Sequence, residues 1–134
     1  RYGVMHRNTF LDSPRLLDGA FRLRSEERIC FAGQITGVEG YIESAMSGIL
    51  AGKQLARRLR GLPALELPRD TMSGALCAYI SDESVAGFQP MGCNMGLLPP
   101  LGERVRDKQQ RYQMIAERGL GHLREVLREE QEVL

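Results

Sequence analysis

Long apolar runs are missing from this sequence. No stretch approaches the roughly 20 consecutive apolar residues that a membrane-spanning helix needs, and no basic-then-apolar leader opens the chain. No membrane role is therefore expected. Cysteine and histidine are also scarce: Cys30, Cys77 and Cys93 are far apart and odd in number, no Cys-x-x-Cys occurs, and there are only two histidines. That pattern argues against a zinc site or a disulfide framework, so no metal ligands are assigned, and a reducing cytoplasm is the natural setting. Charge of one sign is lacking too. The net charge is +1, so nothing global demands an acidic partner. The balance is uneven: residues 1–70 hold 11 basic and 8 acidic side chains, and residues 71–134 hold 7 and 9. The one tight cluster, Arg57, Arg58 and Arg60, reads as a solvated helix end where cations suit the dipole. There is no internal repeat and no low-complexity segment. The chain opens at Arg1 without an initiator Met, which hints at a fragment.

What is present centres on residues 28–48. Ile29 to Ala32 is an apolar run short enough for a buried strand, set within 28–32. Gly33, Gln34, Thr36, Gly37 and Gly40 follow, then a helical pattern to about Leu59. Strand, glycine-rich turn and helix in that order can bring a helix N-terminus to a phosphate, because free N–H groups converge there and glycine admits a close anion. Gly40, Ser44, Ser47, Gly48, Ala51 and Gly52 form a small-residue stripe that would let this helix pack very close to a sheet or ligand. Glycine inside a helix costs about 1 kcal/mol relative to alanine, so a packing reason is expected. Gly-x-Gly-x-x-Gly does not occur, and the same residues also fit a plain corner whose glycines serve turn geometry.

Around that stretch, residues 1–12 read as extended, with polar His6, Arg7 and Asn8 after Tyr2, Val4 and Met5. His6 could be a general acid or base, or simply a solvated or structural histidine. Asp12-Ser-Pro14 signals a turn, and residues 16–23 a short strand or hairpin. Cys30 reads as a small core residue. Glu39 and Glu43 fall in the first helical turns, where carboxylates suit the dipole; Glu39 is a conceivable catalytic acid or a structural cap. Gly61-Leu-Pro63 and Leu67-Pro68 end the helix. Asp70 or Thr71 can cap a helix carrying Met72, Ala75, Leu76, Tyr79 and Ile80 on one face. Residues 86–102 form an apolar Gly/Pro loop without period, of the kind that lines a pocket or covers a core. From Glu103 a helical pattern runs to the end, with Gly119 and Gly121 as points where it would kink or split. Arg104, Arg106, Lys108 and Arg111 fit either a solvated helix face or a strip that neutralises nucleic-acid phosphates, diluted by Glu103 and Asp107.

Three stretches occur in one order: Arg1-Tyr-Gly-Val-Met-His-Arg-Asn-Thr9; Phe31-Ala-Gly-Gln-Ile-Thr-Gly-Val-Glu-Gly-Tyr41 with Ile42-Glu-Ser-Ala45 and Ser47-Gly-Ile-Leu-Ala-Gly52; and Phe88-Gln-Pro-Met91 with Asn94 and Gly96-Leu-Leu-Pro-Pro100. Together they resemble the folate- and FAD-dependent tRNA (uracil-5-)-methyltransferases, over the last third or so of such an enzyme. The resemblance implies an α/β, helix-rich fold. Residues 1–60 would be the C-terminal portion of a Rossmann-like FAD-binding domain, 61–70 a linker, and 71–134 a helical C-terminal segment with the loop at 86–102. It implies FAD contacts at Gly33, Gln34, Ile35, Thr36, Gly37, Val38, Glu39, Gly40 and Tyr41, and it brings His6, Arg7 and Asn8 near the flavin and substrate. The parent would methylate C5 of a T-loop uridine in tRNA, with methylenetetrahydrofolate giving the carbon, reduced FAD the electrons, and NAD(P)H reloading the flavin.

By the same resemblance the catalytic cysteines lie upstream of this chain, so the fragment alone is expected to be inactive and to need the missing N-terminal region. Gln34 stands where many flavoproteins have an acidic residue for the ribityl chain. Gly92, Cys93 and Met95 depart from the family's usual Asn-Ala/Val-Asn-Phe-Gly, which puts an aromatic stacking role at position 95 in doubt. A related reading is the glucose-inhibited-division family of FAD-dependent wobble-uridine modifiers, whose turn usually reads Gly-Gln-Ile-Asn-Gly-Thr-Thr-Gly-Tyr. A third is a non-catalytic interaction module that keeps the fold. Three or four strands are expected, all early, completed by missing strands or a second copy; a free sheet edge would invite self-association.

Overall fold

A computed structural model describes residues 9–133, so His6, Arg7 and Asn8 lie outside the described residues. The elements are a single-turn helix α1 (Ser13–Leu16), strands β1 (Arg22–Leu23) and β2 (Glu26–Cys30), and helices α2 (Tyr41–Leu59), α3 (Met72–Ser81) and α4 (Lys108–Val133). Short 3₁₀ turns occupy Gln34–Thr36 and Met95–Leu97.

The expected turn at Asp12-Ser-Pro14 is a full helical turn, with proline in the first turn, where its missing N–H costs nothing. The strand is set two residues earlier than expected and is not buried: β2 pairs antiparallel with β1 alone, and Ile29 is 45% exposed. Among the described residues these are the only two strands, fewer than the three or four expected. The hairpin is fixed by Asp18. Its Oδ1 accepts the N–H of Ala20 at 2.9 Å and of Arg22 at 3.0 Å, while its Oδ2 accepts Arg22 Nε at 2.8 Å. This net holds Phe21 at φ +60°, a left-handed conformation rare for a bulky residue. The reward is burial: Phe21 is fully enclosed and joins Val38, Leu50, Ala51, Leu76, Cys77, Ile80 and Phe88 in the core.

α2 presents Ser47, Leu50, Ala51, Gln54 and Arg57 inward. At its end Gly61 takes φ +71°, and the N–H of Leu62 donates back to Arg57 O at 2.9 Å, a glycine-closed helix terminus. The small-residue stripe is divided by this orientation. Ser47 and Ala51 are buried, whereas a Cβ on Gly48 or Gly52 would meet nothing within 4 Å. Beside those glycines Ile42, Ile49 and Leu59 are 83%, 63% and 79% exposed.

Thr71, one of the two expected caps, starts α3: its hydroxyl accepts Gly74 N–H at 2.9 Å and donates to Pro68 O at 2.7 Å. α4 begins at Lys108, after Asp107 accepts Gln110 N–H at 2.7 Å. It runs unbroken through Gly119 and Gly121. Gly119 serves close approach, since a Cβ there would stand 2.6 Å from Asp70 O. Near its far end, buried Glu130 accepts Lys53 Nζ at 2.8 Å and Arg57 Nη1, fastening α4 to α2.

Candidate functional site

The turn from Gly33 to Tyr41 has a pinned inner side and an open outer side. On the inner side Ser47 Oγ, from α2, accepts the N–H of Gly33 at 2.7 Å and donates to Ser44 O at 2.7 Å. Thr36 Oγ1 donates to Gly33 O, and Ser13 Oγ donates to Thr36 O, each at 2.7 Å. Val38 forms a parallel bridge with Met91: Met91 N–H donates to Gly37 O at 2.9 Å, and Glu39 N–H donates to Met91 O at 3.0 Å. The structure therefore brings together two segments that sequence separates by about 50 residues, 33–41 and 88–91.

Three glycines in the turn have positive φ. Gly33 (φ +77°, ψ −162°) and Gly40 (φ +101°, ψ +150°) lie in a region that only glycine populates readily. Their surroundings differ. Space beside Gly33 is open within 4 Å, whereas the Gly40 position faces the carboxylate of Glu43, which also accepts Cys93 N–H at 3.2 Å. Gly37 is buried, and its missing side chain makes room for the Phe88 ring.

Thr36, Gly37 and Val38 thus face the protein interior, while Gln34, Ile35, Glu39, Gly40 and Tyr41 are exposed and Gly33 is partly so. Tyr41 and Ile42, at the start of α2, are 97% and 83% exposed, and no side chain caps that helix N-terminus. That end of α2 carries the positive dipole and can receive an anion, with the Glu43 carboxylate, which lies against Gly40, as a competing charge. Glu39 contributes its backbone to the Met91 bridge, not its side chain to a cap.

No described cysteine is primed as a nucleophile. Burial pushes the Cys77 thiol up to about 12, and raises Cys30 and Cys93 as well. Among the described residues no cluster of His, Cys, Asp and Glu could hold a metal, and no helix is long and apolar enough to cross a membrane.

Sequence reasoning named Ser13, Ser47 and Phe88 as turn, stripe and motif residues but missed their bracing role, because a hydroxyl or ring that holds a distant backbone leaves no local pattern. It also missed a clasp between α4 and the start of α3. His122 Nδ1 lies 2.6 Å from Asp70 Oδ2, and Arg118 Nε lies 3.4 Å from the same oxygen. The clasp borders an apolar cleft of about 280 Å³ lined by Met72, Met95, Leu98, Ile115 and Leu123.

Comparison with known proteins places this geometry among relatives. Residues 1–63 match the family model described as "Glucose inhibited division protein A". The chain is 54% identical over 127 residues to the methylenetetrahydrofolate–tRNA-(uracil-5-)-methyltransferase TrmFO of Thermotoga neapolitana, covering 95% of this chain and 29% of that protein. To the TrmFO of Lactiplantibacillus plantarum it is 52% identical over 123 residues, covering 92% and 28%. To that of Enterococcus faecalis it is 51% identical over 120 residues, covering 90% and 28%. The chain therefore spans under a third of the length of these curated relatives, and over nearly all of its own length it is similar to tRNA (uracil-5-)-methyltransferases.

Proposed function

We propose that this chain is the C-terminal portion of a cytoplasmic flavoenzyme that methylates C5 of a T-loop uridine in tRNA, with methylenetetrahydrofolate as carbon donor, reduced FAD as electron source and NAD(P)H as the reductant of the flavin. The observation that carries the reading is similarity to TrmFO proteins along 95% of the chain, joined to an uncapped helix N-terminus beside an open glycine turn. Bound FAD supplies electrons. The residues of this chain bind and orient: the first N–H groups of α2, at Tyr41 and Ile42, receive phosphate charge, Gly33 leaves room for close approach, and the Gln34 amide can both donate and accept hydrogen bonds. Thr36, Gly37 and Val38 act from beneath, by keeping the turn in shape. His6, Arg7 and Asn8 would stand near the flavin and substrate.

The remainder of the parent protein would cover the bare face of α2. Exposed Ile42, Ile49 and Leu59, with Gly48 and Gly52 between them, make a surface that a packed sheet or helix would bury. The nucleophile and the rest of the flavin site would come from that part, so residues 1–134 alone are expected to turn over no tRNA.

The test is FAD binding by the full-length parent carrying Tyr41→Asp, a position 97% exposed and not among the Ile42, Ile49 and Leu59 face. A carboxylate in the first helical turn favours the helix dipole and so spares folding, while it repels a phosphate seated there. Weakened FAD binding with an unchanged melting temperature is expected; unchanged binding would remove the cofactor from this turn.

The match of residues 1–63 to the glucose-inhibited-division model favours a second reading, an FAD-dependent modifier of a wobble uridine. In a deletion strain, loss of the T-loop methyl group supports the first reading, and loss of the wobble modification supports the second.

A further inference from the structure

The segment joining the 3₁₀ turn at Met95–Leu97 to α4 carries Arg104, Arg106, Lys108 and Arg111 within eight residues. Among the described residues none of these four pairs with a carboxylate. Elsewhere among the described residues Arg15, Arg22, Arg24, Arg28, Lys53, Arg57, Arg58 and Arg118 lie within ion-pair distance of an acid, whereas Arg60, Arg69, Arg124 and Arg128 do not; what sets the segment apart is that four unpaired cations fall within eight residues. Of the two acids within the segment, Asp107 is engaged by the start of α4, where its carboxylate accepts Gln110 N–H. Both Asp107 and Glu103 keep their charge, so the four cations are diluted by two acids.

The segment is also held in place. Arg118, on α4, donates to Pro99 O at 2.6 Å and to Pro100 O at 3.0 Å, and Arg111 Nη1 donates to Val105 O at 3.4 Å. Between the segment and α4 runs a cleft of about 370 Å³ lined by Leu101, Arg104, Val105, Arg106, Arg111 and Ile115. One turn along α4, the half-open ring of Tyr112 is flanked by Lys108 Nζ at 5.5 Å and Arg111 Cζ at 5.6 Å from its centroid. A cleft walled by these cations, with Glu103 also in its lining, has the chemistry of a phosphate site, because cations neutralise phosphates and release counterions.

We propose that Arg104, Arg106, Lys108 and Arg111 form a phosphate-contacting surface for the tRNA, with Tyr112 at its border. The inference rests on the methyltransferase reading and deepens it by naming where this part of the protein touches RNA. Its position on the α4 side of the chain, apart from the 33–41 turn, lets the two be tested separately.

The experiment measures binding of unmodified tRNA transcript to the full-length parent across a salt series. Wild type is compared with the triple variant Arg104→Ala, Arg106→Ala, Lys108→Ala and with the charge-keeping variant Arg104→Lys, Arg106→Lys. FAD absorbance per protein serves as the check that each is folded. The triple variant is expected to bind roughly tenfold or more weakly, with a slope of log affinity against log salt shallower by about 1 for each lost phosphate contact, and the lysine variant to keep the wild-type slope. Equal affinity and slope in wild type and triple variant would overturn the inference and leave the methyltransferase reading standing. A wild-type protein that binds no tRNA would overturn that reading and the inference with it.

Discussion

A Cβ built on Gly37 would stand 2.4 Å from Cζ of Phe88, inside the ring's own contact distance. The glycine that sequence reading offers to a ligand is thus filled by the protein itself, at φ +86°. Gly37→Val is consequently a folding variant. Gly37→Ala is expected to lower stability by about 1–3 kcal/mol through strain and overpacking. Phe88→Ala in the same chain should relieve only the overpacking part. Urea midpoints of the two single variants and the double variant measure this; additive losses would show that glycine and ring do not touch.

Gly48 and Gly52 lead to the opposite expectation. Neither has a neighbour within 4 Å, so Gly48→Ala and Gly52→Ala should each stabilise residues 1–134 by about 0.5–1 kcal/mol through helix propensity. In the full-length parent, where we propose that this face is covered, the same changes should lower stability. Thermal melts of both forms check the reversal of sign.

Glu130 ties α4 to α2 in a pH-dependent way. Lys53 first, and then Arg57, hold its carboxyl below the ordinary value of 4.5. A depressed folded value means that stability is present above the unfolded value and is lost as pH falls through the folded one. The docking of α4 should therefore be intact near neutrality and weaken in acid, below about pH 4.5. Circular dichroism melts across pH should show this loss in wild type and a smaller one in Glu130→Gln, which starts out less stable.

Thiol labelling gives a further check. At about pH 8, Cys77 should resist alkylation in the native state and react on denaturation, because burial holds it protonated and enclosed. Cys30 and Cys93, both part-exposed, should label first. Mass spectrometry of the alkylated peptides reads the order, and early labelling of Cys77 would mean that the core opens.

The long elements were legible in the sequence because each signal was local. The apolar period and the glycine turn announce α2 up to Leu59, and the pair Asp70 and Thr71 announces the start of α3, where Thr71 is the cap. β2 was misplaced by two residues because the run Ile29 to Ala32 reads as buried, while Asp18 pins a hairpin that leaves Ile29 half open. Gly119 read as a break in α4 and proves to be a contact, since its partner, Asp70 O, is about 50 residues away in the chain. In the turn, sequence marked the right segment but not its two sides. Which residues face inward depends on Ser13, Ser47 and Phe88, and none of these reveals its partner by spacing.

One side chain changes how residues 61–70 should behave under stress. Gln54 Nε2 donates to Leu65 O at 2.6 Å, and Leu65 N–H donates back to Gln54 Oε1 at 2.8 Å, so a single amide satisfies the two backbone groups that a neighbouring strand would otherwise satisfy. Arg57 Nε adds a second rivet at Pro63 O, 2.7 Å away. A stretch whose proline and glycine content advertises a cutting site for proteases is therefore stitched along the flank of α2. Digestion under native conditions should spare it, and a single Gln54→Leu exchange should open it to cleavage.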